Sequence, residues 1–370
     1  MKKTNEFPLS YCPRGWETLE RLQKLFVERS QDLILAKMRP PSAALRAMAQ
    51  RHPKGPCDYP DPEERIAWWD DYCRERSKIE DDSIPSAYLS EMDQGLYGGL
   101  VGGRVEFQSD PERGWISSMA HPILRDWSEL ERLKIQVDGE WFRRYVRQLE
   151  VYVEGARGRF GVSHFILIDS LNFVFELVGA TKTYEDLLDQ PEMVRRAIDF
   201  AYALNLKVQN TFFEKTPLLA GGTCGNMVEW LPGRVISESV DPFHLASVDY
   251  FEQWGREPVE RIFSQFDGGC LHIHGNGRHL LPSVASLRGL KAIRLLDDGD
   301  TPPAFRVLPD LKKQVGIIPL VVSVPYADFR AALQARTLSG GVLYVVDGVP
   351  DVDAANWCME EVRDHDAARP

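Results

Sequence analysis

Two histidines spaced two residues apart, His272 and His274 in the run CLHIHGNGRHLL (270–281), combine residue type and spacing in a way that can do chemistry. On an extended strand, positions i and i+2 share a face, so both imidazoles and Cys270 point one way while Ile273 points into packing. Two imidazoles at a strand end can hold one Zn²⁺ when another strand supplies a further ligand. The same pair can instead hydrogen-bond substrate carboxylates or line a polar pocket mouth. Gly275 and Gly277 then let the backbone turn tightly into the helix that starts near Arg278.

Carboxylates recur beside the apolar runs of the chain. Glu91 and Asp93 follow 84–89, and Asp169 ends HFILID. Glu238 and Asp241 follow 235–237, Asp297 and Asp298 follow LKAIRLL, and Asp347 ends GVLYVVD. Asp169 can cap the helix beginning at Leu171, worth about 1 kcal/mol, or it can bind a cationic centre or relay a proton. Glu238, Asp241 and the Asp297-Asp298 pair read as solvated loop.

These residues need a frame that brings strand ends together. Short apolar runs at 84–89, 163–168, 218–220, 235–237, 269–273, 290–296, 316–322 and 341–346 read as strands. From 269 onward they recur every 21 to 26 residues with one helical stretch between each pair. That rhythm is the mark of βαβ units and a parallel sheet. Eight such strands predict an α/β fold, a distorted (β/α)₈ barrel whose chemistry sits at the carboxyl ends of the strands. Residues 95–127, with their Gly-Gly and Asp-Pro turns, read as an insertion after the first strand. Residues 1–80 show helical spacing broken by proline-rich turns and no strand pattern. They are predicted to form an N-terminal helical extension to a barrel spanning 81–370.

Composition narrows the function classes. The 370 residues carry 44 basic and 55 acidic side chains, a net charge of −11. A nucleic-acid binder or a polybasic membrane-surface protein needs the opposite balance. No apolar run reaches the eighteen or so residues of a membrane span. The opening MKKTNEFPLSYCPRGW lacks the apolar core of a secretory signal. Six scattered cysteines without a CxxC read as reduced thiols, so a cytoplasmic location is expected. YGGLVGGRV contains no GxGxxG and no Walker lysine, so its glycines read as tight turns rather than a phosphate cradle.

Several stretches resemble the uroporphyrinogen decarboxylase-like superfamily. HIHGNGRHLLPSVASLRGLKAIRLLDDGD is similar to its fifth and sixth strands, with their His-x-Cys/His-Gly segment. LIDSLNFVFELVGATKTYEDLLDQPEMVRRAIDF, ASVDYFEQWGREPVERIF and GVLYVVDGVPDVDAANWCMEEVRD resemble its other elements, so the likeness spans roughly 81–366. It implies a distorted (β/α)₈ barrel, in agreement with the strand count. The arginine-rich motif that holds substrate acetates in the decarboxylase branch is missing, and Met38-Arg39-Pro40-Pro41 does not replace it.

The resemblance therefore points to the zinc-dependent methyltransferase branch, which moves a methyl group between a corrinoid protein and a small acceptor. On that reading His272 and His274 fall on two zinc-ligand positions, and Asp347 stands nearest the third, where the family has a cysteine, with Glu238 or Cys224 as the alternatives to it. Such a His/His/Asp set is harder than His/Cys/Cys and suits an alkoxide, phenolate or water-bound acceptor. Asp169 and Glu91 are then expected to position substrate. A small-molecule methyl donor or acceptor, a corrinoid protein as partner and a homodimer are what the resemblance implies. The alternative is a cofactor-free decarboxylase of a tetrapyrrole-like or small carboxylate, in which His272 and Asp169 stabilise the protonated intermediate.

Overall fold

The computed structural model describes residues 6–53, 55–92, 94–112 and 114–367; Asp93 lies outside them. In chain order its strands are β1 (Ile34–Arg39), β2 (Gly55–Cys57), β3 (Ser86–Tyr88), β4 (Val105–Asp110), β5 (Trp115–Ala120), β6 (Gly161–His164) and β7 (Gly222–Gly225). They continue as β8 (Glu229–Pro232), β9 (Ile236–Ser239), β10 (Gly269–Ile273), β11 (Leu290–Leu295), β12 (Leu320–Pro325) and β13 (Val342–Asp347).

Six of these form a parallel sheet in the order β1-β13-β12-β11-β10-β9. Runs such as LVVSV and VLYVV are nearly continuously apolar, as strands covered on both faces must be. Ile34, Ala36, Ile293, Val322 and Tyr344 join the core beneath the surrounding helices. Leu35, Cys270, Ala292, Val321, Leu343 and Val345 pack on the other face, against Leu22, Leu25 and Phe26 of the helix Gly15–Phe26 and Cys224 and Trp230 of the β7–β8 hairpin.

A second sheet, β3-β6-β7-β8, pairs its first three strands in parallel and its last as a hairpin. A parallel bridge from Ile166 to Ser237 links the segment after β6 to β9. Between β1 and the segment leading into β3, bonds run through side chains. The Asp82 carboxylate accepts the Ala36 N–H at 2.9 Å, and Asp81 accepts the Met38 N–H at 2.7 Å. The insertion expected at 95–127 contains the β4–β5 hairpin, extended by β2 into an antiparallel sheet.

Two expectations need correction. The first eighty residues are not a purely helical appendage, because β1 lies at the edge of the main sheet and pairs with β13 from Ile34↔Val342 to Arg39↔Asp347. The apolar spacing of 16–38 blends two elements, a helix ending at Phe26 and a strand starting at Ile34. Arg29, with φ 55°, turns the chain between them. Residues 218–220, expected as a strand of the barrel, contribute only a bridge from Leu219 to Gly222. The parallel strand missing from that count is β1.

Among the described residues no helix is long and apolar enough to cross a membrane. All six cysteines are free.

Candidate metal centre

His272 sits near the end of β10, and His274 follows directly after it. The short 3₁₀ turn Asp241–Leu245 after β9 brings a carboxylate to the same place, because β9 and β10 are parallel neighbours with Ser239 opposite His272. Asp241 Oδ1 lies 2.9 Å from His272 Nε2 and 3.9 Å from His274 Nε2. One ligand atom from each of the three lies within 4.8 Å of the others. Asp241 and His274 are partly exposed and His272 is buried, so the group is open on one side.

A second layer fixes these ligands. The Nδ1–H of His274 donates to Asp298 at 3.0 Å, which turns Nε2 toward Asp241. The other Asp298 oxygen accepts the Gly275 N–H at 2.7 Å. A ligand imidazole held from behind by a carboxylate is the usual outer shell of a metal site. His244 is buried beside the group, its Nδ1 3.6 Å from Asp241 Oδ1. Gly277 makes room for it, since a Cβ there would stand 2.2 Å from His244 Cδ2.

Charge agrees with the geometry. Burial works to raise the Asp241 carboxyl, but the imidazoles of His272, His244 and His274 outweigh it and pull the value down to about 2. Burial lowers His244 to about 4 against the pull of Asp241, so its ring is neutral at pH 7. Among the described residues no well-aligned hydrogen bond reaches the buried Asp241 Oδ1, which faces two imidazole nitrogens. Two nitrogens and one oxygen with an open side match a catalytic divalent-metal site of three protein ligands. The three residues could hold a divalent metal ion.

The structure brings His272 and His274 together with Asp241, not with Asp347. Three ladder steps separate β13 from β10. Asp347, at the end of β13, is exposed and pairs with Arg39 at 3.3 Å. Glu91 is also placed elsewhere. It is fully buried, accepts hydrogen bonds from Gln148 and Tyr152, and faces Arg65 at 3.6 Å. The ion pair ties the turn Ser90–Met92 to the helix Pro62–Arg76, and the hydrogen bonds tie that turn to the helix Glu140–Ala156, so the carboxylate is committed to the fold.

Asp169 is buried ahead of the helix Ser170–Val178 and makes no side-chain cap to it. Burial raises its carboxyl to about 7, against the Ser170 N–H and the more distant Arg261. Glu238, the register partner of Leu271, shares the face away from His272 and is raised by burial and by the Asp169 charge. The two acids lie on the helix side of the sheet, behind the imidazoles. Asp241 follows the strand that neighbours the histidines, and it is that adjacency in the sheet which makes a ligand of a carboxylate expected as solvated loop.

No family model matches the chain, and no curated protein matches it. Among solved structures, the chain is similar to a methyltransferase from Methanosarcina mazei, with a TM-score of 0.60 and 13% identity. The match covers 94% of this chain and 98% of that one. At that identity, the likeness shows a shared α/β fold.

Proposed function

We propose that this chain is a metal-dependent methyltransferase that moves a methyl group between a corrinoid protein and a small acceptor, with Asp241, His272 and His274 holding Zn²⁺. The observation that carries this reading is the triad itself, built from neighbouring strand ends and backed by Asp298. The fold shared with a methyltransferase supports it. We take the two sheets to close as a distorted (β/α)₈ barrel of β1, β3, β6 and β9 to β13, with the Ile166–Ser237 bridge and the Asp81 and Asp82 bonds as its seams.

A bound divalent ion lowers the pKa of the acceptor it holds, making it nucleophilic at neutral pH. The protein's own part is to fix the ligands. Asp298 sets the tautomer of His274, and the partly exposed edges of Asp241 and His274 leave the acceptor a way in.

Elemental analysis of protein prepared without chelator tests the reading. Roughly one equivalent of zinc is expected, lost when His272 and His274 are both changed to Ala. Methyl transfer from methylcobalamin to a thiol or phenol should follow the metal content. Protein that retains no divalent ion and gains nothing from added zinc would overturn the proposal in favour of the metal-free decarboxylase.

A further inference from the structure

Arg294 lies on β11 as the direct register partner of His272 on β10. Partners on parallel neighbours point to the same side, so its side chain leaves the sheet on the face that carries His272. It is half-buried, and among the described residues its one hydrogen bond runs from Nη1 to the Asn226 carbonyl in the β7–β8 turn, at 2.8 Å. That leaves most of a five-donor fork unengaged. Among the described residues no carboxylate comes within 4.0 Å of it.

The neighbouring charges are already spoken for. Lys37 is paired with Glu229 at 2.6 Å, and Arg39 with Asp347 at 3.3 Å. The third carboxylate on this side, Asp241, faces the imidazoles of the triad, so among the described residues no carboxylate is paired with Arg294. Burial, with Arg39 nearby, lowers its pKa to about 10, so it stays charged at neutral pH. A desolvated cation of this kind is costly unless an anion joins it. Guanidinium and carboxylate match in a two-point, planar contact.

We infer that Arg294 is the anion-binding residue of this pocket, and that the small molecule handled at the triad carries a carboxylate. The inference rests on the triad as the reaction site. The carboxylate binds on the Arg294 side while the reacting atom reaches the Asp241, His272 and His274 side. Arg294 sets specificity by rejecting neutral analogues, whose binding would leave its charge unpaired.

Calorimetry with succinate and its neutral isostere succinamide tests this, on metal-loaded and on chelator-treated full-length protein. Succinate is expected to bind at least about tenfold more tightly than succinamide. Arg294→Gln should remove that difference, and Arg294→Lys should restore part of it, while zinc affinity measured against a chromophoric chelator stays unchanged. Succinate should also shield Arg294 of the unmutated protein from phenylglyoxal, read by peptide mass spectrometry, which needs no variant to fold. Equal binding of the two probes, or succinate binding in Arg294→Gln equal to that of the unmutated protein, would overturn the inference. Succinate binding that chelation abolishes and Arg294→Gln spares would assign the anion to the metal, leaving the proposed function intact and this inference refuted. Succinate binding lost in Arg294→Gln by a protein that takes up no metal would support the anion site and refute the methyltransferase reading alone.

Discussion

Asp298 holds His274 from behind: its Oδ1 accepts the Nδ1–H at 3.0 Å while the opposite ring nitrogen faces Asp241. Burial works to raise the Asp298 carboxyl, but the bond and charge of His274 together with the N–H groups of Gly275 and Asn276 outweigh it and hold the carboxyl below the ordinary range. Asp298→Asn keeps the shape but weakens the acceptor. Metal affinity should fall about 10- to 100-fold with the fold unchanged. Competition against a chromophoric chelator, alongside circular dichroism, checks this.

Exchange of the two competing third ligands separates them cleanly. Asp241→Asn should strip the protein of metal, because two neutral nitrogens hold zinc weakly. Asp347→Asn should leave metal content as it was, since that carboxylate pairs with Arg39. Metal analysis of the two purified variants decides between them; loss of metal from Asp347→Asn alone would refute the site as drawn.

Asp169 gives a pH signature. A carboxyl raised by burial to about 7 keeps its proton in the native state where the unfolded chain has already lost it. Its contribution to stability is therefore full below about pH 4 and is lost as pH rises to about 7. Asp169→Asn mimics the protonated form. It should be near neutral at pH 4 and stabilising at pH 8 by a margin on the order of 2–4 kcal/mol. Urea unfolding of both proteins at the two pH values measures the difference.

Glu91 should prove structural. Removing one partner of a buried ion pair costs about 3–5 kcal/mol, because the other charge is left behind. Glu91→Ala strands Arg65, which has no exposed surface, and also deprives Gln148 and Tyr152 of their acceptor. A much lower denaturation midpoint with unchanged metal content per folded molecule is expected.

Part of this architecture was readable from residue order. The parallel strands from Gly269 onward were legible because their apolar runs are buried on both faces and separated by single helices. The histidine pair was legible because period two puts both rings on one face of β10. β1 was hidden because Leu33, Leu35 and Met38 extend the helical spacing of the preceding segment, with neither proline nor glycine at the join. Asp241 was hidden for another reason. A loop carboxylate becomes a ligand only through the identity of the neighbouring strand, which is a property of sheet order and not of local composition. Glu91 shows the converse, since a carboxylate after a strand can be taken by an arginine far away in the chain.

The pairing of β1 with β13 joins positions about three hundred residues apart. During synthesis, β1 emerges early and waits as an unpaired edge until its partner at Val342–Asp347 has left the ribosome. Until then its exposed backbone is a hazard for aggregation. A pairing of such long range slows folding. Nascent chains stopped before Val342 should therefore be recognised by chaperones and proteases as unfinished, however well their helices have formed.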